Sequence, residues 1–227
     1  MKYIQKIAEP IQLQKYRAIP GATYADMPTD VKSALRLALL KSQGYICCYC
    51  MQRVSEDKCK IEHFKPQSIY NGKEGKTDLT LNYQNLFIAC NGYEGTNDLT
   101  CDSKKGAQEL YHINLLDVQC GENFRYTRDG IICAMNNNNS DLKKEIHEIL
   151  NLNKDTLKWG RKAVYDEVFT QFQNASKNGK FTIGFLNKQS RPWTSKNSEN
   201  KFQPYCMVAI YIIQKHIRKI QTQNNKK

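Results

Sequence analysis

The chain has 227 residues, with 34 Lys and Arg against 22 Asp and Glu, a formal net charge of +12, nine cysteines and four histidines. It is long enough to bury a core without crosslinks, holds no apolar stretch of membrane-spanning length, and begins "MKYIQKIAEPIQ", which lacks a signal peptide's apolar centre. These features argue against membrane-spanning and disulfide-scaffold classes and predict a soluble cytoplasmic protein whose odd number of cysteines is better suited to metal than to pairing.

An N-terminal extension leads into residues 29–43, "TDVKSALRLALLKSQ", which read as a helix. Thr29 or Asp30 would cap it, Gly44 would end it, and Val31, Ala34, Leu35, Ala38 and Leu39 form its apolar stripe. Residues 45 to about 106 are rich in Cys, Gly, Asn and Lys, with the short strand-like pieces "CKIEHF" and "NLFIAC". So little apolar content needs another source of stability, which a metal supplies. "NLLDV" reads as a strand, and "NFRYT-RDG-IICAM" as a hairpin turning at Asp129-Gly130. "NNNN" at 136–139 is a loop. "SDLKKEIHEILNLN" then reads as a Ser-capped helix with Leu142, Ile146, Ile149 and Leu150 on one face. A longer helix follows, carrying Leu157, Val164, Tyr165, Val168 and Phe172 and stopping at Gly179. A polar stretch around "RPWTSKNSENKFQ" precedes a last helix starting at Pro204, and "NNKK" is a frayed tail. The expected organisation is an extension and helix (1–44), a compact core with a hairpin (45–135), and a helical region (136–227).

Cys47 and Cys50 form a C-x-x-C pair, a spacing at which one tight turn offers two thiolates to one zinc ion. Cys90 and Cys101 are candidates to close a tetrahedral site across the inserted loop "NGYEGTNDLT", and Cys48 or Cys59 could replace a ligand. Four thiolates leave no open position, so such a zinc is structural. Cys120, Cys133 and Cys206 have no partner at ligand spacing and read as small buried residues. His112, His147 and His216 read as packed or solvated side chains. His63 differs by its company: Glu62 precedes it, "FKPQS" follows, and the cysteine pairs bracket it.

The set "CCYC…IEHFKP…NLFIAC…CDSKKG" resembles the HNH endonuclease motif over residues 47–105. The flanks "DVKSALRLALLKSQGYICCYC" and "LNLN…L…R" resemble the PtuB nucleases of Septu and retron-associated antiphage systems. That resemblance implies an α+β fold with a ββα-metal, treble-clef-like core stabilised by zinc and flanked by helices at both ends. It implies phosphodiester hydrolysis, with His63 as general base, because a neutral imidazole can take a proton from water near neutral pH. Glu62 and Asp102 would hold a catalytic Mg²⁺ or Mn²⁺; Asp102 stands where the family's final His is found, and a carboxylate suits these hard ions. Of Asn82 and Asn85, the Asn-Leu pair favours Asn85 as the brace of the loop carrying His63. Lys65, and Lys104 or Lys105, would grip phosphates as point charges. Neighbours on a strand point to opposite faces, so Glu62 and His63 can serve one site only if the strand bends or ends there. The implied partners are nucleic acid, DNA in preference to RNA, and an ABC-type ATPase of the PtuA kind, since the chain has no Walker motif of its own. Two rivals keep part of the pattern: a ribonuclease, acting for example on tRNA, and a non-catalytic zinc-stabilised adaptor for nucleic acid or a partner.

Overall fold

The computed structural model describes residues 1–73 and 78–224. Most of the "NNKK" tail, residues 225–227, lies outside them. The architecture is α+β: two separate two-stranded antiparallel sheets surrounded by helices. Among the described residues no helix is long and apolar enough to cross a membrane.

Residues 1–10 run without regular structure, with Met1 buried and the Ile4 amide bonded to the Leu115 carbonyl. Helix α1, Ile11–Arg17, was not anticipated; it starts after Pro10 and buries only Leu13 and Tyr16. Helix α2 spans Thr29–Gln43, the predicted range. Pro28, not Thr29 or Asp30, occupies its N-cap, and no side chain caps it; Asp30 instead contributes its charge to the first turn. Val31, Leu35, Ala38 and Leu39 are buried and Ala34 partly so. Gly44 closes the helix at φ +60°, and a Cβ there would lie 2.4 Å from the Phe202 ring, so both the turn and the close approach call for glycine.

Strands β1 (Cys59–His63) and β2 (Leu86–Cys90) pair antiparallel, with Cys59 opposite Cys90 and His63 opposite Leu86. Helix α3, Cys101–Lys105, follows after the 91–100 loop. Gln43 ties these parts together: its buried amide donates to the Ile46 and Ile88 carbonyls and accepts from the Ile88 amide. "NLLDV" is not a strand. Asn114 and Asp117 accept from backbone amides two residues on, at Leu116 and Gln119, turning the chain before a ladder can form. The predicted hairpin is present as β3 (Phe124–Tyr126) and β4 (Ile132–Ala134), with Gly130 at φ +78° in its turn.

Helix α4 (Ser140–Lys144) is capped by Asn139, whose side chain accepts from the Leu142 amide, rather than by Ser140. It continues as a π-helical turn, Glu145–Ile149, and Leu142, Ile146, Ile149 and Leu150 are all buried. Helix α5, Asp155–Lys177, buries Leu157, Val168 and Phe172 and leaves Val164 and Tyr165 half-buried. Part of the polar stretch is helix α6, Ile183–Thr194, capped by Thr182 and holding Pro192 near its end. Helix α7 runs Cys206–Asn224; it begins two residues after Pro204, once Tyr205 has passed through a positive φ.

The "LNLN…L…R" segment sews the helical half to the core. The Leu150 carbonyl accepts from the Cys101 amide, at 2.9 Å. Asn151 donates to Asp98 and to the Leu99 carbonyl, and Asn153 exchanges bonds with the Ile132 backbone. Arg161, 1% exposed, reaches the carbonyls of Gly130 and Leu152. These bonds satisfy a buried guanidinium that would otherwise be costly.

Candidate active site

The zinc pocket forms first in sequence. An isolated bridge between Ile46 and Arg53, with the Cys47 amide on the Gln52 carbonyl, makes a tight knuckle that places Cys47 and Cys50 together. Cys90 ends β2 and Cys101 opens α3 at φ +54°. The four sulfurs lie within 4.8 Å of one another and all four residues are buried. Cys50 and Cys90 sulfurs are 3.9 Å apart, close to the ~3.8 Å edge of a tetrahedron with Zn–S bonds of about 2.3 Å. The donor set therefore fits a structural zinc. Cys48 and Cys59 are not part of this group; Cys59 is half-buried and turns its thiol to the Glu56 carbonyl. Cys120 and Cys206 are buried as expected, whereas Cys133 is only partly so.

Around this pocket lies the Glu-His pair. Strand β1 ends at His63, and the two consecutive side chains are both buried, Glu62 at 2% and His63 at 5% exposure. Glu62 Oε1 accepts from the Tyr49 hydroxyl at 2.7 Å and pairs with Lys105 Nζ at 2.9 Å. Among the described residues no protein donor reaches Oε2. Burial, and then the Asp102 carboxyl lying within hydrogen-bonding reach, push the Glu62 carboxyl well above its usual range, against the pull of Lys105 and Tyr49. Two neighbouring carboxyls with an oxygen left open are a hard-donor pair that fits a divalent cation of the Mg²⁺ kind.

His63 Nε2 lies 2.9 Å from the Thr80 carbonyl. A carbonyl only accepts, so Nε2 carries the hydrogen and the free lone pair is on Nδ1. Burial lowers the imidazole from 6.5 to about 4, so the ring is neutral at physiological pH. The loop after it is held by Asn85, whose side chain accepts from the Lys65 amide at 2.7 Å and donates to the Lys65 and Leu79 carbonyls. Asn82 instead bonds the Gln84 amide.

The predicted phosphate contacts divide. Lys105 is 1% exposed, paired with Glu62 and donating to the His63 carbonyl, so the structure makes it an internal counter-charge rather than a surface grip. Lys65 is paired with Glu109 at 2.8 Å and lies over the Tyr70 and Tyr111 rings. Lys104 is exposed and forms no ion pair among the described residues. Lys105→Met is expected to lower stability by about 3–5 kcal/mol, since it strands the buried Glu62 carboxylate. Urea unfolding reads the loss, and added Mg²⁺ is expected to restore part of it.

Sequence reasoning missed Tyr49 and Tyr24. Tyr49 stands inside "CCYC", where a large polar ring within a tight knuckle was a usable signal. Tyr24 meets the His63 ring edge-on, with centroids 4.4 Å apart, from a loop some forty residues upstream that carries no motif. The other histidines serve elsewhere: His112 beside Glu145, His147 beside Asn153, and His216 on the Ile212 carbonyl.

No family model matches the chain. Among curated proteins, the "Retron Vc95 putative HNH endonuclease" of Vibrio cholerae serotype O1 biovar El Tor is 30% identical over 162 residues, 67% of this chain and 77% of that protein. The chain belongs to the HNH endonuclease family. A second relative of this HNH endonuclease, the "Retron Ec83 putative HNH endonuclease" of Escherichia coli, is 31% identical over 124 residues, 48% of the chain and 47% of that protein. The chain is accordingly a nuclease, a hydrolase acting on nucleic acid.

Proposed function

We propose that this HNH endonuclease is the metal-dependent, DNA-cutting effector of a PtuB-type antiphage system, licensed by an ABC-type ATPase partner. The retron systems named for both relatives support the defence setting. The observation that carries the chemistry is the buried Glu62–His63 pair at the end of β1, with His63 Nε2 held by the Thr80 carbonyl and the Asp102 carboxyl within reach of Glu62. The succession β1, β2, α3 follows the element order of a ββα-metal core, and the four clustered cysteines could hold a structural zinc beside it, which supports this reading.

In this reading Glu62 Oε2 and Asp102 are the ligands of a Mg²⁺ or Mn²⁺ ion. Bound there, the ion supplies Lewis-acid stabilisation of the phosphoryl and leaving oxygens. His63 Nδ1 takes the proton of a water whose oxygen attacks phosphorus, and the P–O3′ bond breaks, the 3′ oxygen leaving with the bonding pair and taking a proton from solvent. Thr80 fixes the imidazole's tautomer through Nε2, and Asn85 fixes the loop that follows the ring. Lys105 balances Glu62 from inside, so the pair does not carry two uncompensated charges before the ion arrives.

The test is cleavage of matched DNA and RNA substrates by the chain and by its complex with the ATPase, with Mg²⁺, with Mn²⁺ and with chelator. Metal-dependent cutting of DNA is expected. Cutting of RNA alone would transfer the substrate to the ribonuclease reading. Metal-independent binding with no cutting in the complex would leave the adaptor.

A further inference from the structure

Of the three lysines predicted to grip phosphate, Lys104 alone is exposed and without an ion pair among the described residues. Lys105 is consumed inside and Lys65 is engaged by Glu109, yet a nuclease must hold a phosphate that carries negative charge. Further candidates lie outside the motif, in the segment that precedes it.

Tyr24, half-buried, places its ring against His63, and Lys32 Nζ lies 5.0 Å from the centre of that same ring. Arg36 is one turn further along α2 on the same face. Its charge acts on the Tyr24 phenol, as does that of Asp102. Tyr24 thus links His63 to the face of α2 that Lys32 and Arg36 share. Among the described residues no carboxylate pairs with Lys32 or Arg36, and the buried Arg36 Nε has no hydrogen-bond partner. Two like charges one helical turn apart are costly to the free protein, and an arriving anion relieves that repulsion. Guanidinium is the planar fork that suits phosphate, whereas Lys32 offers a point charge.

We propose that Tyr24, Lys32 and Arg36 form the phosphate-receiving wall of the active site, with Arg36 as the principal contact to the nucleic-acid backbone next to His63. The placement rests on His63 marking the reacting centre. Such contacts position the substrate without reading its sequence, so binding through them is general and steeply salt-dependent.

The test is binding of a labelled DNA duplex across a salt series, in a His63→Ala background so that no cutting intervenes, with Arg36→Gln, Arg36→Lys, Lys32→Gln and Tyr24→Phe added singly. Lys177→Gln, an exposed charge in the last turn of α5, is the control. Arg36→Gln is expected to weaken binding about tenfold and to flatten the slope of log affinity against log salt by about 0.9. Lys32→Gln is expected to flatten the slope comparably, Arg36→Lys to keep the slope while losing part of the affinity, and Tyr24→Phe to leave the slope unchanged. In the cutting-competent protein, Arg36→Gln is expected to raise KM more than it lowers kcat. Equal losses in Arg36→Gln, Lys32→Gln and Lys177→Gln would overturn the wall, because only diffuse surface charge would then be at work. Retained cutting by His63→Ala itself would overturn the base assignment instead, and the salt slopes would still report on α2.

Discussion

His63→Ala is expected to reduce phosphodiester cleavage by about 10²–10⁴-fold, with zinc content unchanged. The four clustered cysteines lie on the knuckle, the end of β2 and the start of α3, and none of these depends on the imidazole for a hydrogen bond. Cutting at the wild-type rate by a folded variant would remove His63 from the mechanism. The same variant tests the burial of the ring. The folded imidazole titrates at about 4 and the unfolded one near 6.5, so between these values the unfolded chain binds more protons. Stability is therefore lost as pH falls through that window. The variant lacks this liability, and its stability is expected to fall less steeply below pH 6.5 than that of the wild type. An acid limb of cutting that lies well above pH 4 reports Glu62, whose carboxyl burial pushes up, rather than the base.

Cys47→Ser or Cys90→Ser is expected to unfold the core. Structural zinc contributes about 10–16 kcal/mol of apparent binding energy in small zinc domains, as much as the whole stability of an ordinary domain, about 5–15 kcal/mol. A chelator strong enough to strip the ion is expected to do the same to the wild type. Cys133→Ser, at a half-buried position outside the cluster, is expected to keep both zinc and fold. Melting curves with metal analysis decide the matter: an unchanged transition and a full complement of zinc in Cys47→Ser would show that the four sulfurs are ordinary core.

What was legible in the sequence was what local chemistry fixes. The C-x-x-C pair, the Gly44 terminus of α2 and the Asp129-Gly130 turn each follow from a few adjacent residues. What was hidden depends on distant partners or on competing side chains. "NLLDV" has strand composition, but Asn114 and Asp117 bend the backbone first. Helix α6 was masked by Gly184, Pro192 and its polar residues, although Leu186 and Trp193 anchor it. Lys105 looked like one of two interchangeable surface cations in "CDSKKG". Only the fold reveals that one turn of α3 sends it inward to Glu62 and leaves Lys104 outside. Tyr24 had no signal at all, because its importance lies in what the α1–α2 loop happens to cover.

The seam between residues 98–101 and 150–153 sets an order on biosynthesis. A nascent chain that has left the ribosome only as far as β4 holds all four cysteines, but not the Leu150 carbonyl that receives the Cys101 amide nor the Asn151 amide that steadies Asp98 and Leu99. A chain shortened to end at β4 would keep every cysteine of the cluster yet leave the Cys101 amide and the 98–99 turn without these partners.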